Sequence, residues 1–537
     1  MLSDGRFYRW GLALATLLAG VLRFAWLGSV PAALYCDEAL HGYEAWSLLT
    51  TGRDRHGVLL PFVFDVFGIG WSEPLYIYLT VPAVALFGAT PLAARFVAAA
   101  SGTLAVPVAG LMTTALLSAY SAHGARGGRV RESGARVAGL AAAFLMATSP
   151  WAVHFSRIGF QASLLPLLFG VGFWMAATAL RSDASHRGAR FIAAAAALGL
   201  TLHTYPTARL AMPLLVTAFV WTHRRQLAGQ RRLWLPAAAV MAALLIPVAA
   251  FSLTERGWRR FANLSVATAM PGTSMPGRAA ALAGNYLTYY SPRFLITEGD
   301  PNPRHGVPGH GVLHPHEALL AILGLVACAR SRSPGGRFLL CWILLFPAAA
   351  ALTVDPRHAV RALVALPGLY AVAGAGVAQL AAWWRERPRA LASRAAAAAM
   401  VVLGLMAAWS TSIYANDYFT RWPITSAQAF QYGLRETYDY LKQVSAGHDS
   451  IYVTLNEDEP WIQLVYYQGI PPEHYQRTQL RDTPYLFKEK VFYKGDRIPN
   501  RRNPIFVLKP WEVPDKGVTP RHVIRYPDGS AAFVIAW

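Results

Sequence analysis

Eleven apolar segments long enough to approach a membrane span recur along this 537-residue chain, near residues 8–28, 93–118, 137–154, 161–180, 191–204, 207–222, 233–253, 317–330, 338–354, 361–381 and 395–414. A hydrocarbon core of about 30 Å leaves no water for unpaired backbone groups, so segments of this kind fold as helices. The mean hydropathy of +0.31 and a charged fraction of only 15% fit a polytopic membrane protein and exclude an ordinary soluble enzyme.

Charge fixes the topology. Five arginine-rich loops, 121–136, 181–190, 223–232, 330–337 and 385–394, fall at every second turn and are expected on the cytoplasmic side. Up to residue 414 there are 34 Arg, no Lys and 15 acidic residues, whereas the tail is nearly neutral, so the net charge of +20 belongs to the membrane part. Because the arginines are parcelled into short loops and no binding motif accompanies them, a nucleic-acid partner is not expected. Arg6 and Arg9 precede the run Gly11–Leu27, which is longer than a usual signal sequence and reads as an uncleaved first span with its N-terminus inside. The parity then requires Pro74 to Gly88 to lie along the outer surface without crossing. The first outer loop (about 29–92), the loop 254–316 and everything after 415 share the outer side, which places a bacterial protein of this kind in the inner membrane with its chemistry outside the cytoplasm.

The tail changes character. A helix-like stretch from Ala427 to Val444 leads to strand-like runs near Ile451 to Leu455, Ile505 to Leu508, His522 to Tyr526 and Ala531 to Ile535. Residues 415–537 therefore read as a small soluble α/β domain after a membrane module spanning 1–414. Cys36, Cys328 and Cys341 are too few and too scattered for a disulfide framework or a cysteine metal cluster.

The outer loops hold the chemistry. Asp37 and Glu38 sit at the mouth of the first span, where desolvating a carboxylate is costly, and this marks them as the candidate active centre. Asp37, His41 and Glu44 follow helical spacing and share a face. Arg95, Arg157, Arg209, Arg357 and Arg361 lie at outer helix ends, where guanidinium groups either bind a phosphate bidentately or snorkel to the interface. Trp46, Trp71, Trp151, Tyr205 and Tyr290 offer sugar-stacking faces, with an interfacial aromatic belt as the competing reading. His305, His310, His314 and His316 with Asp300 are near enough in sequence to hold a metal, although their intervals match no compact ligand pattern.

These motifs in this order, Asp37-Glu38, Thr51-Gly52-Arg53-Asp54 with Gly57, Pro74-Leu75-Tyr76, the Arg95 helix, Ser149-Pro150 with Ser156-Arg157, Tyr205-Pro206 with Arg209, and Arg357 to Pro367, resemble a known family. The chain is similar to membrane glycosyltransferases that use polyprenyl-phosphate sugars, the protein O-mannosyltransferase and aminoarabinose transferase group of glycosyltransferase family thirty-nine, which has a C-type fold of eleven or more spans. The resemblance implies inverting transfer of a hexosyl or pentosyl group to a lipid, glycan or protein acceptor, with Asp37 as general base and Glu38 as its supporting acid. Arg95 resembles a second-span arginine near the family's active site, and the five arginines become candidates for the donor phosphate, with His41, Tyr205 and His358 as substrate-binding residues. Two departures stand out: Gln161 and Ser163 occupy the second outer loop, where relatives often have another acidic residue, and no β-trefoil insertion is recognisable. No cofactor is implied with certainty, and a divalent metal stays open. The rival reading is a transporter or flippase, against which the polar residues gather at one membrane face instead of the midplane.

Overall fold

The computed structural model describes residues 5–118, 125–181, 184–228, 231–258, 265–266, 268, 270, 272–355, 357–386, 390–488, 503–513 and 518–537. A helix overlaps each of the eleven apolar segments: α1 (Gly5–Phe24), α4 (Pro91–Ser118), α5 (Ala125–Thr148), α6 (Leu165–Ala179), α7 (Ala184–Leu200), α8 (Ala208–Leu227), α9 (Arg231–Ser252), α10 (Pro315–Ser331), α11 (Pro334–Leu345), α12 (Ala365–Glu386) and α13 (Ala390–Asn416). Two more helices, α2 (Cys36–Thr51) and α3 (Pro74–Phe87), lie in the first outer loop. Among the described residues, six helices are long and apolar enough to cross a membrane by length and composition: Pro91–Ser118, Gln161–Ala179, Arg232–Ser252, Pro334–Ala351, Ala365–Trp384 and Ala397–Thr425. Of the remaining five, α7 and α10 have 17 residues each, and α1, α5 and α8 carry arginines that lower their hydropathy.

The bundle centres on α4, α5 and α12, with α10 against α12 and α1 against α4 and α5. Small residues make this possible. A Cβ at Gly374 of α12 would overlap the Ala138 carbonyl of α5, and one at Gly324 of α10 would overlap the Val372 carbonyl, so the backbones touch where lipid offers no hydrophobic drive to association. By contrast α9 and α13 expose Leu235, Leu245, Ile246, Val401, Leu405 and Trp409 at the periphery, as lipid-facing helices do.

Helix α3 starts with Pro74 at its first turn and ends at Gly88, whose φ of 69° few other residues adopt. Its 14 residues extend about 21 Å, short of a span, and it packs on α2 and α4. The first loop also contains an antiparallel hairpin, β1 (Phe64–Val66) and β2 (Gly70–Ser72), which the sequence did not announce.

The C-terminal segment forms a five-stranded mixed sheet of order β4-β3-β5-β7-β6, from β3 (Ile451–Thr454), β4 (Tyr485–Lys488), β5 (Ile505–Leu508), β6 (Pro520–Arg525) and β7 (Ala531–Ala536). β3 runs parallel to β4 and β5, and β7 is antiparallel to β5 and β6. The expected strands are present. The helix expected from Ala427 begins only at Leu434 (α14, Leu434–Val444), because Gly433 with φ 101° turns the chain immediately before it, and β4 went unanticipated.

This sheet does not stand apart. With α15 (Pro460–Tyr467) and α16 (Pro472–Thr478) it shares one apolar core with Leu34, Cys36, Ala39, Leu40 and Tyr43 of the first loop. Gln463 Nε2 donates to the Leu34 carbonyl at 2.7 Å, the Leu34 N–H donates to Tyr467 Oη at 3.2 Å, and Gln476 Nε2 donates to Ser47 Oγ, Thr51 Oγ1 and the Asp54 carbonyl at 2.9–3.1 Å. Helix α2 is thereby held between the bundle and the C-terminal sheet.

Candidate active site

Helix α2 opens at the two acidic residues and separates their roles. Glu38 is fully buried at the third helical position, where its Oε2 accepts the Tyr35 N–H at 3.1 Å and closes a capping box. The same carboxylate takes the Gly159 N–H at 2.8 Å and two guanidinium bonds from Arg95. Asp37, one residue earlier and rotated by about 100° around the helix, is partly exposed and turns into a cavity of about 370 Å³. Among the described residues its carboxylate has no hydrogen-bond or ion-pair partner.

Four outer segments form most of the wall of this cavity: Tyr35, Asp37 and His41 from the start of α2; Phe160 and Gln161 of the second outer loop; Asn302, Arg304 and His305 from the long loop; and Asp355, His358, Val360 and Arg361 before α12, with Val66 and Tyr205 completing it. His41 is set by its Nδ1, 2.9 Å from the Gly159 carbonyl, which leaves Nε2 as the acceptor 3.2 Å from the Gln161 amide. The Arg304 guanidinium lies over the Tyr35 ring at 3.8 Å, and Tyr35 Oη donates to Asp458 Oδ2 at 3.1 Å, so the C-terminal segment reaches the cavity rim. Arg361 donates to Thr353 Oγ1 at 2.6 Å and Asp355 Oδ2 at 3.0 Å. Burial alone would raise Asp300, but the His305 ring at 3.0 Å and the Asn302 N–H hold its carboxyl below the usual carboxylate value. Burial drives His358 the other way, down to about 2, with the Arg361 charge adding to the effect, and keeps its imidazole neutral.

The arginines expected at a donor phosphate divide sharply. Arg361 reaches the cavity. Arg95 is fully buried, and besides Glu38 it donates to the carbonyls of Leu27, Pro31 and Ala33. Arg157 is equally buried, donates to the carbonyls of Leu22, Arg23 and Val30, and lies over the Phe419 ring at 4.8 Å. Arg209 pairs with Glu73 at 3.0 Å and Arg357 with Glu298 at 3.0 Å, both away from the cavity wall. Arg95 and Arg157 thus join outer loops to the bundle and do not line the cavity. Glu38, expected as the supporting acid, is held by Arg95 and lies off the cavity wall. Glu44 follows the spacing of Asp37 and His41 but is buried against Arg55 and does not face the cavity.

Of the expected substrate-binding residues, His41, Tyr205 and His358 do meet in the cavity. The four-histidine cluster does not form: His310 pairs with Asp417 at 2.9 Å, His314 and His316 stack on each other, and only His305 stays with Asp300. Trp151 is buried with its indole N–H on the Ala359 carbonyl, and Trp71 lines a larger cavity of about 720 Å³ beside Phe251 and Arg256. The smaller cavity is the candidate site because it alone receives Asp37 and His41. Sequence reading missed Arg304, which lies in the irregular stretch Pro303-Arg304-His305 where no periodicity assigns a direction.

No protein-family model matches the sequence, and no curated protein matches it. Solved structures do match. ArnT from Cupriavidus metallidurans in the apo state superposes with a TM-score of 0.54 at 15% identity, covering 98% of this chain and 97% of that one. The same protein bound to undecaprenyl phosphate gives a TM-score of 0.56 at 14% identity over the same shares of the two chains. The Archaeoglobus fulgidus oligosaccharyltransferase in complex with zinc and sulfate gives 0.51 at 14% identity, covering 85% of this chain and 61% of that one. From its first helix to its C-terminal sheet, the chain has the C-type glycosyltransferase fold that these membrane proteins share.

Proposed function

We propose that the protein transfers a sugar from a polyprenyl-phosphate donor to an acceptor hydroxyl on the outer face of the membrane, with Asp37 as general base. The observation that carries this reading is the division of labour at the start of α2: Glu38 is enclosed by Arg95 and two backbone N–H groups, while Asp37 faces the cavity with no partner among the described residues. In the step, the acceptor oxygen forms a bond to the anomeric carbon as the bond from that carbon to the phosphate oxygen breaks. The electron pair leaves with the polyprenyl phosphate, and the acceptor proton passes to the Asp37 carboxylate. Attack opposite the leaving group inverts the anomeric centre.

A positioned base contributes about 10²- to 10⁴-fold. Arg304 and Arg361, held by Tyr35 and Asp355, line the same cavity as Asp37, which supports a role in stabilising the charge that develops on the departing phosphate with little reorganisation. His41 and Tyr205 offer polar and ring contacts to the sugar. The shared fold with a protein that binds undecaprenyl phosphate supports a polyprenyl carrier, and the five basic loops support an outward-facing cavity. The test supplies purified enzyme with each donor separately. Transfer from a polyprenyl-phosphate sugar and none from a nucleotide sugar is expected; the reverse pattern would remove the reading.

A further inference from the structure

His305 and His358 of the cavity wall, together with the neighbouring Asp300, have no part in the transfer step. Asp300, His305 and His358 each present one ligand-type atom, and these atoms lie within 4.8 Å of one another. His305 Nδ1 is 3.0 Å from Asp300 Oδ2, and the His305 and His358 rings are 4.7 Å apart between centroids. The Asp300 carboxylate is fixed from behind by the Asn302 N–H at 2.9 Å and the Ala359 N–H at 2.7 Å. An Asp-His hydrogen bond would account for His305 alone. It leaves His358 Nδ1 buried without a hydrogen-bond partner among the described residues, an arrangement that costs free energy unless something occupies it.

We propose that Asp300, His305 and His358 bind one divalent transition-metal ion, zinc by ligand chemistry, with an open coordination position toward the cavity that holds Asp37. Two imidazoles and one carboxylate, with a fourth position free, are the ligand set of open zinc sites. Bonds of about 2.0–2.2 Å draw tetrahedral ligand atoms to roughly 3.4 Å apart, within reach of small side-chain rotations from the present spread. The backbone bonds to Asp300 hold the carboxylate in place while the rings turn. His305 and His358 line the cavity together with Arg304 and Arg361, so an anionic phosphate entering there would meet the cation beside two guanidinium groups. This last role rests on the transfer reading; metal binding itself does not.

The test uses the full-length protein in detergent, free of any affinity tag, treated with chelator, reloaded with zinc and dialysed. Elemental analysis is expected to find one zinc per wild-type chain. Asp300→Asn and His358→Ala should each lower that content at least tenfold, while His310→Ala, whose ring belongs to Asp417, keeps it. Wild-type zinc content in His358→Ala, or no zinc retained by wild type, overturns the proposal. Should the variants fail to elute as monodisperse protein, cobalt(II) titration of wild type decides: saturable d–d absorption displaced by one equivalent of zinc supports the site, and its absence overturns it. Bound zinc in a protein that transfers no sugar from any polyprenyl-phosphate donor would leave the site standing and remove the transfer reading, so the two fail separately.

Discussion

Glu38 and Arg95 form a fully buried, two-point ion pair, Nε to Oε1 at 2.9 Å and Nη2 to Oε2 at 3.1 Å, that ties the first outer helix to the second span. The pair fixes the start of α2 and therefore the direction of Asp37. Removing one partner strands the other charge away from water, at a cost of about 3–5 kcal/mol. Arg95→Ala is expected to lower the melting temperature and yield sharply, and Arg95→Lys to recover only part, since an ammonium cannot reproduce the planar fork. Thermal unfolding in detergent checks this; a stable Arg95→Ala protein altered only in donor affinity would return Arg95 to the phosphate.

Arg304 and Arg361 carry the opposite expectation. A charge-assisted hydrogen bond contributes about 1.5–3 kcal/mol, so Arg304→Ala should lower kcat/KM for the donor by roughly 10- to 100-fold with the melting temperature near wild type. Arg304→Lys should rescue part of the loss. Arg209→Ala, whose guanidinium pairs with Glu73 off the cavity wall, should stay within a few-fold of wild type. Steady-state kinetics over donor concentration separates the three.

Gly42 of α2 lies against Tyr466 of α15 so closely that a Cβ there would stand 2.7 Å from the ring. Tyr466 is buried and its hydroxyl is held by the Thr90 carbonyl at 2.8 Å, so the ring has little room to yield. Gly42→Leu should cost at least the 1–3 kcal/mol typical of overpacking and make the C-terminal segment more susceptible to limited proteolysis. An unchanged digestion pattern would contradict the shared core.

Reporter fusions at Asn416 and Asn503 test the topology. Both positions are expected to report an extracytoplasmic location, because eleven crossings place all five basic loops inside. Cytoplasmic activity from both would mean a miscounted crossing.

The sequence shows the bundle because hydrocarbon length and positive-inside charge are written in composition, residue by residue. It shows Asp37 and Glu38 as a pair but not which of them is enclosed, since that depends on Arg95 and Gly159, 57 and 121 residues away. Arginines at helix ends look alike in sequence whether they cap carbonyls, as Arg157 does, or face a cavity, as Arg361 does. His358 joins Asp300 and His305 from another loop, and no interval between neighbouring histidines encodes that meeting. The docking of α15 and α16 on α2 was hidden for the same reason: Gln463 and Gln476 read as ordinary polar positions until their long-range partners are known.

The most direct test of the account compares single-turnover transfer from a polyprenyl-phosphate sugar by purified wild type and Asp37→Asn, with melting temperatures measured on the same samples. Asp37 is partly exposed and unpaired among the described residues, so its replacement should leave stability near wild type while slowing transfer by about 10²- to 10⁴-fold. Transfer by Asp37→Asn at close to the wild-type rate would contradict the assignment of the base and, with it, the reading of the cavity.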